Sequence, residues 1–454
     1  MIKNDKTELI LNGDVLKALI ILSIPIIINN FIQTLFNLVD AFWVGKISSV
    51  HFAATSFVWP VNFLFISLGI GISIAGTSLL SQLVGANKIK EAQEYASQII
   101  AISIIMALSF TVIGYILSPY IIKAMGADVE LAELSNIYLR ITFLDTVFLF
   151  LFFNINSIMS AQGNTVTPTI LSGVSAIVNM ILDPIFIFTF DLGIAGAAWA
   201  TFLSRALLAI IGCFLLFSES NKIKPNFKDF KFNKKILKDV LKVGFPSSIG
   251  QSGSAIGFMV LNGFVVSYGT ATLAAFGMVN RITSLVMQFS QGIGAALTSV
   301  VGQNIGANQY ERVNEAFRKA SKIAVSIGVI GCIILIYFDQ QLIDFFIQSK
   351  DDPSVIAQSI SFLRYISLSM PFLGIFSVFQ GLYQGSGNTK FSMTMEIGRL
   401  WGLRIPMILL FKYFTEIGSD GIWFSMSASN LFVCVYGFII YKSNKWKRTV
   451  LSNV

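Results

Sequence analysis

Residues 82–87 read Gln82-Leu-Val-Gly85-Ala86-Asn87, and 221 positions later the chain reads Gln303-Asn-Ile-Gly306-Ala307-Asn308. The register extends in both directions. Pro25 pairs with Pro246 at the same offset, Gly163-Asn164-Thr165 with Gly387-Asn388-Thr389 and Arg140 with Arg364 at an offset of 224, and Gly196 with Gly421 near the ends. The second half therefore repeats the first, and the fold is two copies of one bundle.

The composition says what the bundle is made of. Of 454 residues, 54% are hydrophobic and 12% charged, with a mean hydropathy of +0.73. Soluble domains carry about 25% charged residues. Here nearly every stretch of about 20 residues is apolar, the length that crosses a bilayer. Continuous apolar runs, not short alternating segments, exclude a β-barrel. The expected fold is an all-α polytopic membrane protein of twelve transmembrane helices in two parallel-repeat six-helix lobes around a central cleft. The spans fall at 15–43, 52–83, 96–119, 132–159, 166–190 and 193–217, then at 239–267, 271–301, 317–347, 355–383, 391–413 and 420–441. Each half holds an even number of spans, so the repeats share one topology and relate by an axis along the membrane normal. The expected units are an N-lobe over 1–217, a basic linker over 218–238 and a C-lobe over 239–454.

The net charge of +8 is no nucleic-acid signal. Its lysines cluster between apolar runs: Lys222, Lys224, Lys228, Lys231, Lys234, Lys235, Lys238 and Lys242 in the linker, and Lys442, Lys445, Lys447 and Arg448 at the end. Arg312, Arg318 and Lys319 fall on the same side in a twelve-span count, while the opposite loops carry Asp128, Glu130, Glu133, Asp351 and Asp352. Both termini and the linker are thus expected in the cytoplasm, with the chain in the plasma membrane. The first apolar run is too long for a signal h-region and is expected to stay as a span. Cys213, Cys332 and Cys434 lie within apolar runs and have neither metal nor disulfide spacing, so they read as packing residues. His51, the one histidine, falls at a segment end, and no nucleophile–base or metal-ligand pattern marks an enzyme.

The two copies differ where ionisable groups enter the apolar spans. Asp40 and Asp183 lie in the first half; Leu261 and Met407 stand at the matching places in the second. A carboxylate inside a bilayer costs several kcal/mol and marks a functional site by default. Depth counting puts Asp40 (late in span 1), Asp183 (late in span 5), Thr201 (early in span 6) and Tyr138 (early in span 4) at one level in the outer half. Asn179 and Asp183 share a helix face, and Gln33, Asn37 and Asp40 form a polar stripe on span 1. Pro184 frees a carbonyl near the site, and Pro25 lets span 1 bend. Carboxylate, amide and hydroxyl oxygens together suit a proton or a hard monovalent cation. Asp145 shares a face with Tyr138 and Asn156, and is expected either to face the same cavity or to pair with Arg140 or Arg205. Glu396 and Arg399, three apart in span 11, read as an ion pair at the cytoplasmic interface. A repeat with an off-axis acidic site suits alternating access better than a channel.

These residues resemble the multidrug and toxic compound extrusion (MATE) family. The matching elements are Gln33-Thr-Leu-Phe-Asn-Leu-Val-Asp40, Gln82-Leu-Val-Gly85-Ala86, Asn179-Met-Ile-Leu-Asp183-Pro184-Ile-Phe186 and Gly193-Ile-Ala-Gly196-Ala-Ala-Trp199-Ala-Thr201, and the likeness covers all twelve spans. It implies a secondary antiporter that exports organic cations and other amphipathic compounds in exchange for H⁺ or Na⁺, with no cofactor beyond the coupling ion and a monomer as the working unit. Within the family the chain is most similar to the DinF-like branch, which implies a proton or Na⁺ site at Asp40, Asn179, Asp183 and Thr201. Gln33, Asn37, Tyr138, Asp145 and Asn156 would then line or support the cavity. The NorM-like branch carries acidic residues in spans 7 and 10; this chain has none between Pro246 and Tyr268 or between Pro353 and Gly385. One departure is Ser160-Ala-Gln-Gly163-Asn164 at the end of span 4, where the family reads closer to Arg-Gly-x-Gly-Asp. The alternative function is a flippase for a lipid-linked precursor, which would need arginines and lysines in the cleft; Arg281 and Arg404 are the candidates.

Overall fold

A computed structural model describes residues 6–218, 221–346, 353–447 and 450–451. The expected acidic residues Asp351 and Asp352 and the basic Arg448 lie outside these. Among the described residues there is no strand. The first-half spans are Val15–Ile47, Ser49–Gly85, Ile89–Ala124, Val129–Ala161, Val166–Thr189 and Gly193–Leu216. In the second half, spans 7, 8, 9 and 12 are Lys234–Val266, Thr270–Gly306, Tyr310–Tyr337 and Asp420–Lys442. Span 10 is a pair, Pro353–Leu368 and Met370–Gly385, bent by 49°. Span 11 is a helical run through Thr389–Ile397, Gly398–Arg404 and Ile405–Phe414, whose middle section is π-helical.

Local chemistry explains the ends. Asp14, Ser48 and Asp128 cap spans 1, 2 and 4, accepting from Lys17 N at 2.7 Å, His51 N at 3.3 Å and Leu131 N at 2.9 Å. Such caps satisfy amides that a helix start leaves open. Spans 2 and 8 end in left-handed asparagines at repeat-related places, Asn87 (φ 58°) and Asn308 (φ 59°), and Gly163 and Gly387 both stand at φ 77°. The repeat thus reaches the backbone torsions. The bend in span 10 follows from Pro371, which has no amide hydrogen to donate and whose ring disturbs the preceding turn. Span 9 is likewise shorter than expected: it stops at Tyr337, and a separate helix, Asp339–Phe346, follows. Arg364 Nε donates to Asp339 Oδ2 there at 2.7 Å.

Packing obeys the same pseudo-two-fold. Span 1 packs on span 5 and span 7 on span 11; span 2 packs on span 4 and span 8 on span 10; spans 1 and 2 meet spans 8 and 7 across the lobes. At one end of the molecule, called here the linker face because residues 221–233 lie there, the lobes interlock. Gly85 sits against the Gln303 carbonyl and Gly306 against the Gln82 carbonyl, with no room for a side chain at either. Gln82 Nε2 donates to Gly385 O at 3.0 Å and Gln303 Nε2 to Ala161 O at 2.7 Å, each reaching into the other lobe and each fully buried. The signature that revealed the repeat is therefore also what closes this face.

The linker is strapped to the first lobe. Gln162 Oε1 accepts from Lys222 N at 3.1 Å and Ile223 N at 3.3 Å, and Asn226 N donates to Ser97 Oγ at 2.7 Å. Gln162 belongs to the segment that departs from the family pattern, and its side chain holds the linker.

Between the lobes lies a cavity of about 1040 Å³. Span 2 lines it from Ser56 and Trp59 to Ile74, so it runs from the far face inward and stops short of Gln82. A second cavity of about 160 Å³ adjoins it toward the linker face, lined by Asn29, Thr77, Asn156 and Thr298 among others.

Candidate functional site

Span 5 runs as an α-helix to Pro184 and then widens into a π-helical turn over Ile185–Thr189. π-turns inside helices are rare and frequently mark functional sites. Gly196 of span 6 lies against the backbone of Phe186 and Ile187, so spans 5 and 6 approach closely here. This contact sets Asn179 and Asp183 beside Thr201. Asn179 Nδ2 donates to Asp183 Oδ1 at 3.1 Å and to Thr201 Oγ1 at 3.4 Å. Asn179 and Asp183 are fully buried.

Span 1 brings Asp40 and span 4 brings Tyr138. Tyr138 lies close enough to Asp40, Asp183, Asp145 and Arg205 to feel all four charges, and Asp183 feels Asp40. Arg205, one turn along span 6 from Thr201, pairs with Asp145 and lies over the Phe36 ring at 5.8 Å from its centroid. The sequence left Asp145 either facing the cavity or pairing with Arg140 or Arg205; Arg205 is its partner. Arg140 instead stacks on Tyr115, 4.8 Å from the ring centroid.

The charge count of this cluster is three carboxylates against one guanidinium, and the guanidinium is engaged by Asp145. Asp40 Oδ1, Asp145 Oδ1, Asn179 Oδ1 and Asp183 Oδ2 are buried with no hydrogen-bond partner. Buried polar atoms are normally satisfied, so four unsatisfied oxygens on one polar cluster fit a donor or a cation. Apolar packing around them is sparse. This half of the first lobe has two small buried clusters, Val44–Ile187–Ala197 and Val58–Ile122–Leu139–Phe143, whereas the corresponding part of the second lobe packs sixteen buried residues around Trp423 and Phe362.

The other candidates are placed separately. Gln33 and Asn37 are exposed on span 1 and do not line the cavity between the lobes. Asn156 lines the smaller cavity near the linker face. Pro25 lies within an unbroken helix, its carbonyl accepting from Thr169 Oγ1 at 2.8 Å. The cysteines are free, and Cys434 is buried.

Two readings of second-half residues change. Glu396 and Arg399 do pair, at 3.5 Å, but in the wall of the large cavity and not at an exposed interface. Glu396 lies in the last turn of the α-helical part of span 11 and Arg399 in the π-helical stretch that follows, a geometry that a plain 3.6-residue period does not foretell. Arg281 is exposed and outside the cavity, while Arg404 is 2% exposed and lines it.

The sequence profile of the MatE family matches residues 25–185 and 246–410, once in each lobe. The chain belongs to the MatE family. As a MatE protein it is a multi-pass membrane transporter for small molecules and not an enzyme. It is 28% identical over 442 residues to a probable multidrug resistance protein of Bacillus subtilis (strain 168), YpnP, covering 96% of each chain. It is 26% identical over 432 residues to a multidrug export protein of Staphylococcus aureus (strain bovine RF122 / ET3-1), MepA, covering 94% of each. A multidrug resistance MATE transporter of the MOP superfamily, solved in an outward-facing conformation, superposes with a TM-score of 0.91 at 27% identity, over 97% of this chain and 98% of that one.

Proposed function

We propose that this MatE protein is a secondary antiporter of the plasma membrane that exports amphipathic organic compounds, organic cations among them, in exchange for H⁺ or Na⁺ bound in the first lobe. The observation that carries the reading is the charge count: Asp145 takes Arg205 as its ion-pair partner, so the buried Asp183 and the half-buried Asp40 have no ion-pair partner of their own, with orphaned oxygens beside Asn179 and Thr201. Two such charges are costly away from water unless neutralised. A proton or a Na⁺ ion does this, and its arrival or departure changes the stability of one conformation against the other.

The rest of the cycle follows from the interlock. With the linker face on the cytoplasmic side, as its lysines favour, the Gln82 and Gln303 contacts close the inside and the cavity opens outward. Neutralising Asp40 and Asp183 lets span 1 bend at Pro25 and pack against spans 5 and 6. That movement narrows the first lobe and displaces substrate to the outside. The driving force is sufficient, because one charge crossing 100 mV supplies about 2.3 kcal/mol. The working unit is the monomer, with the N-lobe over 1–217, the linker over 218–238 and the C-lobe over 239–454. The coupling site is Asp40, Asn179, Asp183 and Thr201, supported by Tyr138.

The test is dye efflux from cells expressing Asp40→Asn or Asp183→Asn at matched membrane levels. Each variant is expected to lose most ethidium efflux. Undiminished efflux in both sinks the assignment.

A further inference from the structure

The charged side chains on the wall of the large cavity are, among the described residues, Glu396, Arg399 and Arg404. All three come from one stretch of span 11, where the helix opens into its π-helical section over Gly398–Arg404. Asp40 and Asp183 do not line this cavity. The first lobe thus holds surplus negative charge away from the large cavity, and the second lobe holds surplus positive charge on it.

The guanidinium partners are mostly neutral. Arg404 Nε donates to Ser429 Oγ at 3.0 Å, and its Nη2 to Asn430 Oδ1 at 3.0 Å and Met426 O at 3.3 Å. These bonds engage Nε and Nη2. Arg399 Nη1 donates to the same Asn430 Oδ1 at 3.4 Å, and its Nε is buried without a partner. Glu396 is the one carboxylate, reached by Arg399 Nη2 at 3.5 Å and by Ser254 Oγ at 2.9 Å. Arginine stays protonated in proteins, so two guanidiniums facing one carboxylate leave the wall with one positive charge. Asn430 stands where the first half has Arg205, at an offset of 225. The repeat therefore inverts its polarity here: a guanidinium among carboxylates in one lobe, a neutral amide between guanidiniums in the other.

An uncompensated cation held out of water is expensive, while guanidinium donors facing a cavity offer paired hydrogen bonds to carboxylate, sulfonate or phosphate oxygens. The same cavity supplies apolar surface. Arg399 lies over Phe376, 4.3 Å from the ring centroid, and Trp59, Phe63 and Phe258 line the wall. We propose that Arg399 and Arg404 form a subsite for the anionic group of an amphipathic ligand whose apolar body rests on the aromatic wall. This rests on the transport reading only in taking the cavity as the substrate's path. An anionic lipid headgroup and a free amphipathic anion share this chemistry.

The test measures binding, not transport, and so stands apart from the fate of Asp40 and Asp183. Purified protein in phosphatidylcholine nanodiscs is titrated with 1-pyrenebutyrate and with its neutral alcohol, 1-pyrenebutanol. The wild type is expected to bind the carboxylate at least tenfold more tightly. Arg399→Gln and Arg404→Gln are expected to bring the ratio of the two Kd values below threefold, with Arg404→Lys in between. A structural network that merely pins span 11 to span 12 would lower Tm and leave the ratio alone. Repeating the titration in discs with 30% phosphatidylglycerol separates the sources. Weakened carboxylate binding that depends on both arginines assigns the subsite to lipid headgroups, and unchanged binding assigns it to free amphipaths. A wild-type ratio near one overturns the proposal whether or not the variants fold, as does a tenfold ratio kept by both glutamine variants.

Discussion

Gly85 and Gly306 hold the linker face shut by having no side chain, and a methyl group at each is the smallest change that tests this. In Gly85→Ala the new Cβ falls on the Gln303 carbonyl, and in Gly306→Ala on the Gln82 carbonyl. The obstacle is backbone in both cases, so no side chain can swing aside. Overpacking of this kind costs about 1–3 kcal/mol. The cost applies to the closed linker face and not to a conformation in which spans 2 and 8 have parted, so the equilibrium shifts toward opening by about 5- to 150-fold. The two contacts belong to one crossing, so the double variant should fall short of the sum. Spin labels at Lys90→Cys and Glu311→Cys report the separation; both positions are exposed and related by the repeat offset of 221. Pulsed electron–electron distance measurements in nanodiscs are expected to show a longer-distance population that grows in each alanine variant. Unchanged distances in both variants, with or without a lower Tm, would refute the reasoning, because the glycines would then serve general packing and not closure.

Two further outcomes follow from local geometry. Asp145 is 1% exposed and paired to Arg205, so Arg205→Ala leaves a buried carboxylate alone and should destabilise by about 3–5 kcal/mol. The double variant Arg205→Gln/Asp145→Asn should recover most of the Tm lost on heating in detergent; equal losses in single and double variants would contradict the pairing. Gln162→Ala removes the acceptor that holds Lys222 N and Ile223 N, at a cost of about 1–3 kcal/mol to the local fold. Trypsin should then cut the linker several-fold faster, and an unchanged rate would mean that the strap does not depend on Gln162.

Much of the fold was legible because bilayer length and an internal repeat leave few alternatives. Among the described residues, eleven of the twelve expected spans reappear as helices long and apolar enough to cross a membrane, counting span 10, which Pro371 breaks, as one; span 9 stops at Tyr337, and span 11 is a helical run in three sections. The convergence of Asn179, Asp183 and Thr201 could be read from depth alone, because straight helices of known direction fix height. What height cannot fix is azimuth. Gln33 and Asn37 share a stripe with Asp40 yet are exposed, and Asp145 chose Arg205 among partners of similar depth. Glu396, Arg399 and Arg404 were harder still. The π-helical section shifts Arg399 and Arg404 relative to an ideal helix that continues past Glu396, and a spacing of three invites the ordinary ion-pair reading. The available signal was Arg404 itself, a permanent charge deep in an apolar run with no carboxylate one turn away.

The central claim is that Asp40 and Asp183 carry the coupling ion. Purified protein in proteoliposomes, driven in turn by an imposed inward H⁺ gradient and an imposed inward Na⁺ gradient without a membrane potential, tests it through ethidium movement. The wild type is expected to respond to at least one gradient, and Asp40→Asn and Asp183→Asn to lose that response while folding normally. Gradient-driven transport that persists at the wild-type rate in both variants would contradict it.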